Sequence, residues 1–365
     1  MRIKFYGLKT KNCSLDLMRR YYTCACNFYF GKFSRFLIKK KETLPLHGQS
    51  DISFSHIKII SRNTEKTINI KNINSLSYNI KTQVKKDLLN IKKKKNNFSY
   101  LRFNKINIMG VLNLTPDSFS DGGKFNNLHL AYKQALNLNK SGADIIDIGG
   151  ESTRPGSSAI SVEEEWKRIS KVLNKLKKFN TSLDTRKSSI MEKGIKNKIN
   201  LINDVSGLEF DKNSIQILKK YKTPFVLQHS QGNPQTMQKN PKYKNVLLDI
   251  FDYFETKIKF FRKIGISHNN IILDPGIGFG KNLKHNLSIL RNISIFHSLG
   301  FPILLGISRK RFIKDISENN DSKERIGGTI GSSLFAIMKG VQVLRVHDVN
   351  EVKQSIKVFN KLLDN

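Results

Sequence analysis

A parallel (β/α)8 barrel preceded by a basic extension is the fold this sequence predicts. Short apolar runs recur along the chain, and nearly every one ends in a polar or charged residue. Segments of helical length separate the runs. At 365 residues the chain is also longer than one barrel of about 250 residues. The surplus lies ahead of the first run.

The runs come in order. Residues 106–112 end at Asn113, and 145–148 lead into Gly149, Gly150 and Glu151. Residues 182–183 end at Asp184, 201–202 at Asn203 and Asp204, and 225–227 at Gln228 and His229. Residues 271–273 end at Asp274, 303–305 lead through Gly306 to Ser308, Arg309 and Lys310, and 343–344 end at Arg345 and His347. Eight strand–helix units of this kind close into a barrel, and such barrels carry their chemistry at the C-terminal ends of the strands. The residues gathered there suit a polar, phosphorylated ligand.

The helices follow from period and caps. Residues 128–141 place Leu130, Ala131, Ala135 and Leu138 on one face and stop before Gly142. Residues 162–179 open at Ser161, with Glu164 placed for a capping box. Trp166, Ile169, Val172, Leu173 and Leu176 form its apolar stripe, which reads Trp166 as core. The longest helix spans 246–264, turns Phe251, Phe254, Ile258 and Phe261 inward, and ends at Gly265. Residues 283–299, 326–339 and 349–363 cover the last three strands. Two connections, 115–123 and 151–158, are long, polar and rich in Gly, Pro and Ser, as binding loops at a catalytic face are.

Net charge is +35. Residues 1–100 hold 22 Lys+Arg against 5 Asp+Glu, so the extension is more than twice as charge-dense as the rest. It is expected to be a Lys/Asn-rich, poorly ordered basic segment, with 59–80 alternating enough for a hairpin and the Lys run 92–95 as a linker. Residues 101–365 are expected to form the barrel domain. The positive charge is scattered, which reads as compositional drift and implies no specific nucleic-acid partner. Cys13, Cys24 and Cys26 all lie in the extension, so the barrel uses no thiol, and Cys24-x-Cys26 lacks zinc-knuckle spacing. No apolar run reaches the roughly 18 residues of a membrane span. Residues 1–41 hold one acid, Asp16, which fits a basic tail, an organelle transit peptide or an over-extended start. A cytoplasmic location is expected, with organelle targeting as the alternative.

Two segments are highly specific: MGVLNLTPDSFSDGG at 109–123 and DIGGESTRPG at 147–156. With LDTRK (183–187), IND (202–204), HSQGNP (229–234), LDPGIGFGKN (273–282), SRK (308–310) and RVHD (345–348), they make the chain resemble the dihydropteroate synthase family of folate biosynthesis. The likeness begins near Ile106 and leaves out the extension.

The resemblance implies a reaction. A dihydropterin bearing a CH2–diphosphate condenses with 4-aminobenzoate, giving dihydropteroate and diphosphate. It implies Asp184 and Lys310 as catalytic residues, with Asp184, Asn203, Asp274, Lys310, Gln228 and Phe279 around the pterin. It implies Thr153, Arg345 and His347 for the diphosphate, Thr153, Arg154, Pro155 and Ser308 for 4-aminobenzoate, and Asn113 as contact for a Mg2+ cofactor. It further implies small-molecule partners, no membrane, a homodimer and a sulfonamide target.

The chemistry suits these residue types. Diphosphate departure leaves a cationic methylene that a buried carboxylate stabilises, and a carboxylate with an amide matches the 2-amino-4-oxo edge of a pterin. Competing readings are local. Asp184 can cap the helix before Ser188, Asn113 can be a turn residue, and His229 reads as a packed strand-end histidine. Asp204 alternates away from Asn203 and is read as structural. GIGFGK at 276–281 lacks phosphate-loop spacing and the following Ser/Thr. Gln228 and Ser230 stand where the family commonly has methionine, and Arg186, also unusual, is placed toward solvent. A methyltetrahydrofolate:corrinoid methyltransferase-like barrel has no need of Arg345 and His347 as diphosphate anchors. A non-catalytic basic binding protein is the reading from another class.

Overall fold

The computed structural model describes residues 21–98, 100–115, 126–152, 157–232, 237–238 and 240–363. Its first unit is the part of the extension expected to be poorly ordered, and this is a correction. The segment contains β1 (Tyr22–Phe30), α1 (Gly31–Lys39), β2 (Leu44–Leu46), β3 (Gln49–Ile60), β4 (Glu65–Asn69) and α2 (Tyr78–Lys92). Strand β3 pairs antiparallel with β1 along one edge and with β2 and β4 along the other. The hairpin expected over 59–80 lies earlier, as β3–β4; residues 70–75 form a 3-10 segment instead, and α2 begins at Tyr78.

Helix α2 lays Val84, Leu88 and Ile91 against Ala25, Phe54, Ile57 and Ile59. The opposite face of the sheet turns Tyr22, Cys24 and Ile60 into the main barrel core. Burial of both faces of β1 over Tyr22–Ala25 explains why no period-2 pattern marked that half. Polar contacts complete the docking. The Tyr22 hydroxyl donates to Asp252 at 2.7 Å, and Arg62 reaches Asp249 at 2.7 Å and Asp252 at 2.6 Å. His47 meets His297 at 3.0 Å, and Gln49 donates to the Phe103 carbonyl at 2.8 Å.

The remaining strands are β5 (Asn107–Asn113), β6 (Ile145–Gly149), β7 (Thr181–Asp184), β8 (Leu201–Asp204), β9 (Phe225–Gln228), β10 (Ile271–Asp274), β11 (Leu304–Gly306) and β12 (Val343–Val346). They pair in parallel in the order β10-β9-β8-β7-β6-β5-β12-β11. A bridge between Leu273 and Ile303 brings the two ends together, so the eight strands form the predicted barrel. Phe98, Leu101 and Phe103 pack on Met109, Ile145, Leu201, Val226, Ile272, Leu304 and Val343, which plugs the strand-entry end with apolar side chains. Chemistry is left to the opposite end.

The surrounding helices are α3 (Asn126–Lys140), α4 (Val162–Lys175), α5 (Ser188–Lys196), α6 (Ser214–Tyr221), α7 (Val246–Lys263), α8 (Leu283–Arg291), α9 (Arg311–Ser317), α10 (Ile326–Met338) and α11 (Val349–Leu363). The segment read as one helix over 283–299 divides into α8 and a 3-10 stretch, Ile293–Leu299. Half of the expected capping box forms: Ser161 accepts from the Glu164 amide at 3.1 Å, while the Glu164 carboxylate pairs with Arg168 instead.

The docked sheet makes a stability prediction. Tyr22 is fully buried, with its ring 5.1 Å from Phe251. Tyr22→Ala removes both ring and hydroxyl and is expected to cost about 3 kcal/mol. Denaturant unfolding of the full chain measures it, and a loss below about 1 kcal/mol would show that the sheet is not integrated with the barrel.

Candidate active site

The polar residue at each strand end arrives there because the apolar run before it is consumed by the barrel wall. Asp184 closes β7 and Asn203 lies opposite it on β8. Asp274 closes β10 opposite Gln228 at the end of β9. Arg345 sits on β12 between β11 and β5. Asn113 ends β5, and a Cβ built on neighbouring Gly149 would lie 3.7 Å from the Asn113 Oδ1 and 3.8 Å from the Asp184 Oδ2. These six residues therefore share one end of the barrel.

Arg345 organises the carboxylates. Its Nε donates to Asp147 at 2.6 Å and one terminal nitrogen donates to Asp184 at 2.8 Å. Asn203 donates to the same Asp147 oxygen at 3.0 Å. Burial raises the Asp184 carboxyl, Arg345 pulls it back, and Asp147 adds to the rise. Burial also disfavours the charge on Arg345, and Asp147 and Asp184 more than restore it. The second oxygens of Asp147 and Asp184 and the Asn203 carbonyl oxygen are buried and accept no hydrogen bond from the described residues. Three acceptors thus converge on adjacent strands.

Asp147 is the residue that sequence reasoning missed. Its signal was present: one carboxylate among Ile145, Ile146 and Ile148 is fully buried in the wall and requires a cation. The N-cap reading of Asp184 does not hold. Lys187 is the N-cap residue of α5, and the Ser188 amide donates to Asp211 at 2.8 Å. Asp204 accepts from the Ser206 amide at 2.7 Å and the Leu208 amide at 3.2 Å, the structural task expected of it.

Lys310 stands across from these groups. Its Nζ donates to the Ile277 carbonyl and lies 4.3 Å from the centre of the Phe279 ring. The side chain is partly accessible, but the ammonium is enclosed by that loop, and burial lowers it to about 7 against the pull of Asp274. Gly276 allows the loop to come this close. It holds φ at +68°, and a Cβ there would sit 2.0 Å from the His229 carbonyl. Gln228 is buried and its amide donates to the Val205 carbonyl at 3.4 Å, so the polar replacement finds a partner. His229 is a packed histidine, as read. It lies 4.9 Å from the Tyr253 ring and 3.0 Å from the Lys281 ammonium, and burial drives it well below the ordinary range.

Ser308 and His347 meet at the β11–β12 side, with the Ser308 hydroxyl 3.1 Å from the His347 Nδ1 and accepting from its amide at 3.2 Å. Arg186 corrects the expectation that it faces solvent. It is buried, donates to Glu151 at 2.9 Å, and lays its guanidinium 4.1 Å from the Phe210 ring centre. Lys187 joins Glu151 at 3.2 Å and Glu165 at 2.6 Å, so two buried carboxylates dictate where both cations go. Thr153, Arg154 and Pro155, and most of the loop 115–123, lie outside the described residues.

The Lys310 environment carries a pH prediction. The folded value of about 7 lies below the ordinary 10.5, so folding releases a proton between those limits. Its burial cost is then fully present below about 7 and is relieved as pH rises toward 10.5. Lys310→Met is expected to raise the melting temperature of the ligand-free chain at pH 6, with the gain shrinking above neutral pH. Calorimetric melts at both pH values test this. An equal or lower melting temperature for the variant at pH 6 would contradict it.

Comparison with known proteins places this arrangement. Residues 109–347 match the family described as Pterin binding enzyme. The chain is 40% identical over 258 residues to the dihydropteroate synthase of Synechocystis sp., covering 70% of this chain and 89% of that one. It is 42% identical over 263 residues to the dihydropteroate synthase of Neisseria meningitidis serogroup B, covering 70% and 92%. Among solved structures, the dihydropteroate synthase of Clostridium difficile, determined in the presence of pteroic acid, superimposes with a TM-score of 0.68 at 39% identity, covering 73% of this chain and all of that one. The Xanthomonas albilineans enzyme with 4-aminobenzoic acid gives a TM-score of 0.68 at 34% identity, covering 72% and 94%. With its barrel, its strand-end residues and its relatives in agreement, the chain belongs to the dihydropteroate synthase family of pterin binding enzymes.

Proposed function

We propose that this chain condenses a (7,8-dihydropterin-6-yl)methyl diphosphate with 4-aminobenzoate to form 7,8-dihydropteroate and diphosphate. The observation that carries the reading is the cluster of buried acceptors on Asp147, Asp184 and Asn203, faced by Lys310 across the barrel mouth. A pterin edge presents amino and ring N–H donors that such acceptors satisfy, and its oxygen or N5 accepts from Lys310. Asp274 and Gln228 flank that edge, and Phe279 supplies an apolar wall.

In the reaction the methylene C–O bond breaks, the electron pair leaves with diphosphate, and positive charge spreads over the methylene and the ring. Asp184 is fixed by Arg345 before the charge develops, so it costs no reorganisation. Arg345 spends two donors on carboxylates, and its second terminal nitrogen, unbonded to the described residues, is left for the departing phosphate beside His347. The arylamine nitrogen then forms the new C–N bond and loses a proton. It attacks as the free amine, so no general base is required. Thr153, Arg154, Pro155 and Ser308 would receive the aminobenzoate, and Thr153 would also meet the diphosphate.

Asn113 would hold a Mg2+ cofactor. No group of three or more His, Cys, Asp or Glu side chains among the described residues could hold a metal by itself. The single amide oxygen of Asn113 beside Asp184 suits an ion that takes its other ligands from diphosphate and water. When bound it would neutralise leaving-group charge.

A homodimer is part of the proposal. On α10, Gly327 and Gly331 open onto free space, and Phe335 and Met338 continue the same stripe at 40% and 41% exposure. A cytoplasmic site of action is part of the same reading. The Yersinia pestis dihydropteroate synthase has been solved with a sulfonamide drug, and a sulfonamide is expected to compete with 4-aminobenzoate for this chain. The test is direct: purified full chain with both substrates and Mg2+ should yield dihydropteroate. A folded chain that forms none would overturn the reading.

A further inference from the structure

The extension carries a surface that the proposed reaction does not use. Helix α1 turns Gly31, Ser34 and Leu37 onto the sheet, and the Ser34 hydroxyl donates to the Ser50 carbonyl at 2.7 Å. The other side of the helix is apolar where it meets water. Phe33 and Phe36 are 55% and 52% exposed, far more than large aromatic side chains ordinarily are. They lie one turn apart with ring centres 6.3 Å apart and planes within 13°, and Tyr29 closes on Phe33 at 5.7 Å. Three rings thus form one ridge. Lys32, Arg35, Lys39, Lys40 and Lys41 surround it and are all exposed. The nearby acids are few: Asp51 is paired with Arg35, and Glu42 lies 3.7 Å from Lys71.

We propose that this ridge docks the protein on an anionic phospholipid surface. A short helix with phenylalanines projecting between lysines and arginines is the arrangement that seats apolar rings at the headgroup boundary while cations meet lipid phosphates. Single-stranded nucleic acid is the other polyanion a basic aromatic face suggests. It stacks each base on a free ring face. Here Phe33 is engaged by Phe36 and Tyr29, and the Lys40 ammonium sits 5.5 Å over Phe36, so the rings present their edges as a ridge more than their faces as platforms. The ridge belongs to the unit whose Gln49 and His47 contact the strand-entry side of the barrel, so docking leaves the catalytic mouth accessible.

The full chain is mixed with phosphatidylcholine vesicles, with and without phosphatidylglycerol, and binding is read by co-sedimentation. Binding is expected to the anionic vesicles and to weaken with added salt. Phe33→Ser with Phe36→Ser is expected to weaken it by about tenfold or more, from roughly half a phenylalanine transfer energy per ring. Reversal of Lys32, Lys39 and Lys40 to Glu should weaken it by about tenfold or more. Both variants alter exposed positions remote from the strand ends, so the unfolding midpoint and condensation rate should stay unchanged. No binding to anionic vesicles at low salt would overturn the proposal, as would wild-type binding by the double serine variant. Binding to poly-uridine that the serine variant loses, without vesicle binding, would assign the face to nucleic acid.

Discussion

Asp184→Asn is expected to lower kcat by about 10²–10³-fold. The amide keeps the size of the side chain and removes its charge. The carboxylate is buried and held by Arg345 at 2.8 Å, so it acts in a water-poor site where electrostatic stabilisation is strong. Its effect should fall on the step in which diphosphate leaves, because the methylene carries positive charge there and not in the ground state. Affinity for 4-aminobenzoate should change little. Single-turnover rates measure the chemical step, and calorimetry measures binding. A chemical rate within about threefold of wild type would remove Asp184 from the catalytic role, since one preorganised group of this kind is worth far more.

Arg345→Ala should have the largest effect on stability, about 3–5 kcal/mol. The arginine joins Asp147 on β6 to Asp184 on β7, and both carboxylates are buried. Its removal leaves two acids side by side without a cation. The Asp184 carboxyl, already raised by burial, then loses the cation that pulls it back, so stability declines as pH rises from its unfolded value to the raised folded one and recovers toward acid pH. The wild type should show this decline ending at a lower pH, because Arg345 holds the Asp184 value down. Binding of the diphosphate substrate should weaken as well, because its anion is charged before the reaction begins. Denaturant midpoints at pH 5 and pH 8 separate the effects. A variant equally stable at both would show that the carboxylates had found other partners. Arg345→Lys should restore little, since one ammonium does not reproduce two donors aimed at separate strands.

Much of the barrel was legible because its signals are local. An apolar run followed by a polar residue is contiguous in the chain, so Asp184, Asn203, Asp274 and Arg345 could be placed at strand ends before any coordinates. The direct pairing of Asp184 with Asn203 bears out this placement. Helices such as α7 and α11 were legible from their 3.6-residue period and appear within a residue of their expected ends. Arg186 was misplaced because adjacency to Asp184 says nothing of Glu151, its partner 35 residues earlier.

The barrel and the polar groups at its strand ends could be read from the chain without coordinates, since each strand carries its own terminating polar residue. The fold decided which cation meets Asp147, because Arg345 reaches it from 198 residues away. It likewise decided that residues 21–98 fold. The first half of strand β1, Tyr22–Ala25, is buried on both faces, by α2 and by the barrel, so it carries no amphipathic alternation, and its contacts with Phe251 and Asp252 lie more than two hundred residues off. Local patterns report which face of an element meets water. They do not report which distant surface covers it.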